Sequence, residues 1–209
     1  MHGGVPFDVI KNENHEGLAK GLENLDKHIS NMQMYGQTVV VAFNRYASDT
    51  EEEIDIVRRH CAGLGVGFAV NNAFIEGGKG AEELARLVVE TIANKPSAPL
   101  TLAYDDDDKV EEKICKVARK IYGAATVSFS AEAKKKLQMI YDMGYDRFPV
   151  CIAKTQYSFS TDPKLYGVAK NFDVNVSDIV INAGAEMLVI IAGKIMRMPG
   201  LPKVPQALK

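Results

Sequence analysis

Apolar positions along the first hundred residues alternate between two periods, and that alternation predicts the architecture. From Glu16 to Met34 the residues Leu18, Leu22, Leu25, Ile29 and Met32 recur every three or four positions, the stripe of an amphipathic helix. Tyr35–Gln37 ends it, and the continuously apolar run Thr38–Phe43 predicts a short strand covered on both faces, as in a parallel sheet. Asn44–Ser48 is a loop. Thr50 and Glu53 then have capping-box spacing, and Ile54, Val57, Cys61 and Leu64 form the inward stripe of the next helix. Gly65 stops that helix, and Val66–Val70 is a second strand. Asn71–Gly80 reads as a glycine-rich loop and Glu82–Ala93 as a helix with Leu84, Leu87, Val88 and Ile92 inward. Strand, loop and helix in repetition predict an open parallel α/β sheet, whose ligands sit in the loops leaving the carboxyl ends of the strands. Here those loops are Asn44–Asp49 and Asn71–Gly80.

The proline-bearing stretch Asn94–Pro99 predicts a boundary, giving an α/β segment over 1–95 and an α+β region over 96–209. Beyond it the pattern predicts a strand near Leu100–Tyr104, a helix over Val110–Tyr122, a strand at Thr126–Phe129, a helix over Ala131–Met143 and a strand at Pro149–Ala153. Short alternating stretches at Phe172–Val176 and Ile179–Asn182 lead to the apolar run Met187–Ala192, and prolines hold the tail Met198–Pro205 extended. The fold class is therefore α/β, a mainly parallel sheet flanked by helices with a smaller α+β carboxyl-terminal region.

Composition narrows the function classes. The chain is 46% hydrophobic and 25% charged with a formal net charge of −2, so no basic excess points to nucleic acid. No apolar run is long enough for a transmembrane helix, and residues 1–6 lack the charged-then-apolar order of a signal peptide, so a cytoplasmic protein with no membrane partner is expected. Cys61, Cys115 and Cys151 are far apart and odd in number, which suits reduced thiols rather than a disulfide framework or zinc site. Cys151, on a strand expected to be covered, reads as a buried small hydrophobe. The histidines form no metal pair at helical spacing, and no metal site is expected; His60, beside Arg58 and Arg59, reads as a surface residue.

Three stretches invite chemistry. Glu76-Gly77-Gly78-Lys79-Gly80 fails the Walker pattern, which needs glycine where Ala73 stands and serine or threonine where Gly80 stands. What remains is either a turn whose free N–H groups receive an anion or a plain strand-to-helix connection. Asp105–Asp108 cannot all converge on one ion. Immediately before a helix these carboxylates read as a solvated start, worth about 0.3–1 kcal/mol per well-placed group against the helix dipole. Lys154, Thr155 and Gln156 follow the predicted strand Pro149–Ala153; together they suit a carboxylate or phosphate, or equally the capping of neighbouring backbone.

Read in order, several segments resemble one family. Pro149-Val-Cys-Ile-Ala-Lys-Thr-Gln-Tyr-Ser158 with Asp162-Pro163, Met198-Pro-Gly-Leu-Pro202, Ile121–Ala124, Val41–Asn44 and Glu76–Gly80 resemble formate–tetrahydrofolate ligase. Met1–Gly4 resembles the end of a family signature whose earlier part is missing. The resemblance implies part of a P-loop-type fold lacking its amino-terminal half. It also implies an ATP-dependent ligase that joins formate to tetrahydrofolate through formyl phosphate, giving 10-formyltetrahydrofolate, with Mg-ATP and tetrahydrofolate as substrates. Monovalent cations and a homotetramer go with the intact enzyme. Tyr46 and Phe74 correspond to the aromatic pair that sandwiches folate, where the family more often has phenylalanine and tryptophan. Asn44, Glu76, Gly77, Gly78, Lys79, Lys154, Thr155 and Gln156 are candidate anion or substrate contacts; no catalytic residue is assigned. Glu186 and Met187 depart from the family's usual glycine and aromatic. Without a Walker loop this chain is expected to be inactive alone. It is expected to be a truncated ligase, a subunit completed by a separate amino-terminal chain, or a non-catalytic folate-binding or scaffolding protein.

Overall fold

In the computed structural model, residues 1–195 are described, and they fall into two compact units: Met1–Ala103 with Tyr166–Val168, and Tyr104–Leu165 with the described residues from Ala169 onward. The tail motif at Met198–Pro205 lies outside the described residues.

The first unit runs α1 (His15–Met34), β1 (Val40–Asn44), α2 (Glu51–Gly63), β2 (Gly67–Asn71), a single turn α3 (Ala73–Glu76), a 3-10 segment Gly77–Ala81 and α4 (Glu82–Asn94). Polar caps set the helix starts. Asn14 Oδ1 accepts from Gly17 N–H at 2.7 Å, and Thr50 closes a reciprocal capping box with Glu53, each bond 3.2 Å. β1 and β2 pair in parallel with Asn44 opposite Asn71. Val41, Phe43 and Phe68 pack against the buried Leu22, Val57 and Cys61 of α1 and α2. On the opposite face Ala69 is fully buried, and a Cβ at Gly67 would sit 3.4 Å from Leu87 of α4 and from Val40, so β2 keeps small residues under that helix.

In the second unit come α5 (Val110–Val117) with a π-turn over Ala118–Tyr122, β3 (Thr126–Phe129), α6 (Ala131–Asp142), β4 (Val150–Ala153), β5 (Asp173–Asn182) and β6 (Met187–Ala192). The sheet order is β3-β5-β6-β4, with β3 parallel to β5, β4 parallel to β6, and β5 antiparallel to β6. Val110 and Ile114 of α5, Leu137 and Ile140 of α6, and Val176, Ile179, Leu188 and Ile190 of the central strands form its core. The molecule is a mixed α/β fold with parallel pairing flanked by helices.

Several expectations need correcting. No strand forms near Leu100–Tyr104. Pro96 and Pro99 remove donors there, and Ala98 and Thr101 instead donate to Gly36 O and Tyr35 O at 2.9 and 3.0 Å, leaving Leu100 and Leu102 exposed. The expected loop over 71–80 is mostly helical turns, and the two stretches at 172–176 and 179–182 are one strand with a bulge at Val176/Asp178. Cys151 is exposed because β4 pairs only with β6 and forms a sheet edge. Leu64, Val88 and Ile92, expected inward, are exposed. His60 is half-buried against Asp26 at 2.5 Å rather than a solvated surface residue.

Candidate functional site

Two loops leave the carboxyl ends of β1 and β2 side by side, and asparagines fix them. Asn71 Nδ2 donates to Asn44 Oδ1 at 2.8 Å, which joins the two strand ends, while Asn71 Oδ1 accepts the Ala73 N–H at 3.2 Å and so caps α3. Arg45 N–H continues the ladder onto Asn71 O at 3.1 Å. The next residues close a tight turn from both sides: Tyr46 N–H donates to Asp49 Oδ2 at 2.8 Å, and Asp49 N–H donates to Tyr46 O at 3.1 Å. That turn projects the Tyr46 ring, 72% exposed, from the end of β1. Phe74, on the neighbouring loop, is fully exposed.

The Asn72–Gly80 segment is equally constrained. Asn72 N–H donates to Gly80 O at 2.9 Å and closes its base; a Cβ at Gly80 would fall 2.5 Å from Asn72 C and O, so only glycine permits this approach. Gly77 ends α3 with φ +61, a left-handed conformation that glycine adopts without steric cost. Asn72 Nδ2 donates to Glu76 Oε1 at 2.7 Å, whereas Asn72 Oδ1 is buried without a partner among the described residues. Gly77, Gly78 and Lys79 are exposed, and a Cβ at either glycine would meet open space. Chemically, this edge offers two large, mostly exposed rings, beside amides and the Glu76 carboxylate. It suits a flat heteroaromatic ligand with polar edges.

In the second unit, Lys154 is turned into its own loop. Its ammonium donates to the carbonyls of Thr155 at 3.0 Å, Ser158, and Ser160 at 3.2 Å, and stands 4.7 Å from the centroid of the Tyr122 ring. Burial pulls its pKa down to about 8. The buried Ser158 and Ser160 bond to each other at 2.9 Å and tie the loop to Leu165 O and Asp162 O. Thr155 Oγ1 accepts the Tyr157 N–H at 3.3 Å, and Gln156 is exposed.

Some ordered polar groups escaped the sequence reading. Lys113 is fully buried in α5, donating to the carbonyls of Asp146, Arg147 and Phe148 at 3.2, 3.2 and 3.3 Å, with the Tyr104 ring 5.9 Å away. Its place on the inward stripe between Val110 and Ile114 was the available signal. The Asp105–Asp108 run is partly structured, since Lys116 Nζ reaches Asp105 Oδ2 at 3.0 Å and Asp108 Oδ2 at 2.5 Å. These hydrogen bonds hold the Asp108 carboxyl below its ordinary range and raise the Lys116 ammonium. Glu13, His15 and Glu52 bring possible ligand atoms within 4.8 Å of one another. In the structure His15 stands between the two carboxylates, 3.0 Å from Glu13 and 3.8 Å from Glu52. Among the described residues no helix is long and apolar enough to cross a membrane.

The family model described as formate--tetrahydrofolate ligase matches residues 1–209. The formate--tetrahydrofolate ligase of Phocaeicola vulgatus is 64% identical over 208 residues, covering all of this chain and 38% of the relative. Those of Bacteroides fragilis and Campylobacter concisus are 62% and 50% identical, covering 100% and 99% of this chain but 38% and 37% of their own lengths. The chain thus spans well under half the length of the curated relatives it matches, and over that span it belongs to the formate--tetrahydrofolate ligase family.

Proposed function

We propose that this chain supplies the folate-binding part of an ATP-dependent ligase that joins formate to tetrahydrofolate, giving 10-formyltetrahydrofolate. The observation that carries the reading is the pair of exposed rings, Tyr46 and Phe74, on adjacent loops at the carboxyl ends of two parallel strands. An exposed aromatic gains little by itself; a pteridine laid against one of these rings removes apolar area from water on both partners and adds stacking worth about 0.5–1.5 kcal/mol per ring. The rigid turns behind the rings mean that little ordering is needed on binding.

Asn44 and Glu76 lie close enough to the strand ends to meet the polar edge of such a ligand, and Gly77, Gly78 and Lys79 leave room for an anionic group beside it. Lys154, Thr155 and Gln156 serve the same ligase from the second unit, with Lys154 shaping the loop that displays the other two. ATP, its magnesium and any monovalent cation belong to the whole ligase, as do homotetramer formation and a cytoplasmic setting; this sequence carries no complete Walker motif.

Calorimetric titration of the 209-residue chain with tetrahydrofolate under reducing conditions tests the reading. Saturable binding, weakened about fivefold or more by Tyr46→Ala and by Phe74→Ala, is expected, in line with roughly 1 kcal/mol per ring. Unchanged affinity in both variants removes these residues from the site.

A further inference from the structure

The Ile121–Ala124 segment has no part in the site described above, yet it ends a distortion of α5. After Val117 the helix widens into the π-turn Ala118–Tyr122. Gly123 N–H reaches Ala118 O in the wide i→i+5 bond of such a turn as well as Arg119 O, and Ala124 N–H closes onto Ala118 O at 3.0 Å. Gly123 leaves the turn with φ +77, a left-handed conformation that suits glycine. A π-turn adds a residue to the helix, so side chains beyond it point elsewhere than an uninterrupted α-helix would send them, and such turns concentrate at functional sites. Here the redirected side chain is Tyr122, whose ring centroid lies 4.7 Å from the Lys154 ammonium.

That ammonium is in an unusual setting. Its three N–H groups are taken by carbonyls of its own loop, those of Thr155, Ser158 and Ser160. All three acceptors are neutral, and among the described residues Lys154 enters no ion pair. A half-buried ammonium without a carboxylate needs another source of negative potential, and the face of an aromatic ring is one. Among these contacts of Lys154 only the Tyr122 ring comes from outside the loop. The buried hydroxyls close the loop on itself, Ser158 Oγ donating to Leu165 O at 2.6 Å and Ser160 Oγ to Asp162 O at 3.2 Å. The ring thus ties the caged cation to the end of α5, and Thr155 and Gln156 are the next residues along the chain. Lys113 provides a contrast within the same unit: it too gathers three carbonyls, but it is fully buried and its nearest ring stands farther off, at 5.9 Å.

We propose that Tyr122 is a positioning residue of the ligase: its ring face seats the Lys154 ammonium in the carbonyl cage, and the cage fixes Thr155 and Gln156 where β4 ends. Tyr122 acts on them through Lys154, and the role requires the ring, not the hydroxyl. The proposal rests on the ligase reading for what Thr155 and Gln156 meet, though not for the coupling itself.

NMR of the isotope-labelled 209-residue chain tests it. In the parent, the ε-methylene protons of Lys154 should be shifted upfield by the ring. Its ammonium should give a slowly exchanging signal, identified by its loss in Lys154→Met, and Lys113 should give a second. Tyr122→Phe keeps the ring and is expected to keep both signals. Tyr122→Leu keeps an apolar side chain without a π face. It should speed exchange of the Lys154 ammonium by about threefold or more and shift the amides of Thr155, Gln156 and Tyr157, while the Lys113 signal stays. A tyrosine that only fills space would lower thermal unfolding without singling out one ammonium. Absence of the upfield shift in the parent overturns the proposal without any variant, which covers a Tyr122→Leu chain that does not fold. So does Tyr122→Leu with an unchanged Lys154 signal, loop amides that stay in place once that signal is lost, or Tyr122→Phe behaving like Tyr122→Leu. Because no folate is present, a failed titration with tetrahydrofolate leaves the coupling standing, and loss of the coupling leaves the stacking assignment of Tyr46 and Phe74 untouched.

Discussion

Lys113 and Lys154 show how much a single buried cation organises in this molecule. Each ammonium gathers three main-chain carbonyls and stands over a tyrosine ring, one before β4 and one after it. Lys113→Met keeps the volume and removes the donors, leaving the carbonyls of residues 146–148 without their partner; a loss of about 1–3 kcal/mol in urea unfolding is expected. No loss would show that solvent already serves these oxygens. For Lys154 the prediction concerns pH. Its folded pKa, about 8, lies below the 10.5 of the free side chain, because burial disfavours the charged form. Between those values the unfolded chain holds the proton more tightly, so stability attributable to this group rises with pH from about 8 to 10.5. The urea midpoint of the parent should therefore climb more steeply across that window than that of Lys154→Met; identical slopes would mean that the carbonyl cage holds the charge fully. Neither role was legible from residue type. The sequence reading placed Lys154 at a strand end, where an anion contact and a backbone cap were equally open, and only the folded loop shows its ammonium among carbonyls.

At the scale of elements, local signals proved readable and pairing signals did not. The Thr50–Glu53 spacing predicts a capping box, and both bonds form; β3 and β6 have the bounds that their apolar runs predict. Thr50→Ala removes the acceptor for the Glu53 N–H and should cost about 1 kcal/mol, read as a lowered unfolding midpoint, with Thr50→Ser recovering most of it. Loss in both variants alike would place the contribution in the Thr50 methyl group instead of the cap. Misjudged elements share one cause, that their environment comes from partners distant in sequence. Cys151 is exposed because β4 became an edge, and Leu100–Tyr104 stays irregular because prolines and the end of α1 capture its backbone. The Asn71–Gly80 segment illustrates both kinds of signal. Its glycines announce tight turns, but the helical turn that displays Phe74 depends on Asn71 capping across to Ala73 while holding Asn44 at the end of β1.

For the whole molecule, the decisive relation is between what the chain displays and what the proposed reaction requires. Joining formate to tetrahydrofolate at the expense of ATP needs a cradle for the triphosphate, commonly a glycine-rich loop ending in lysine and a hydroxyl residue, whose N–H groups surround the phosphates. Gly77–Gly80 offers glycines and a lysine, but Gly80 stands where the hydroxyl residue is required. Its close approach to Asn72 leaves no room for a larger side chain, so Gly80→Ser would not create the motif but would force the loop base apart. The 209-residue chain is accordingly expected to show no phosphate release from Mg-ATP above a protein-free control, with or without formate and tetrahydrofolate. Turnover that survives repurification, and that falls with Lys79→Ala, would show that this short loop carries the nucleotide after all. Turnover insensitive to Lys79→Ala would place an unrecognised nucleotide site elsewhere in the chain. With no turnover but saturable folate binding, the division of labour becomes physical: one span of the ligase stacks the pteridine on rigid aromatic turns, and the triphosphate is held by residues beyond it.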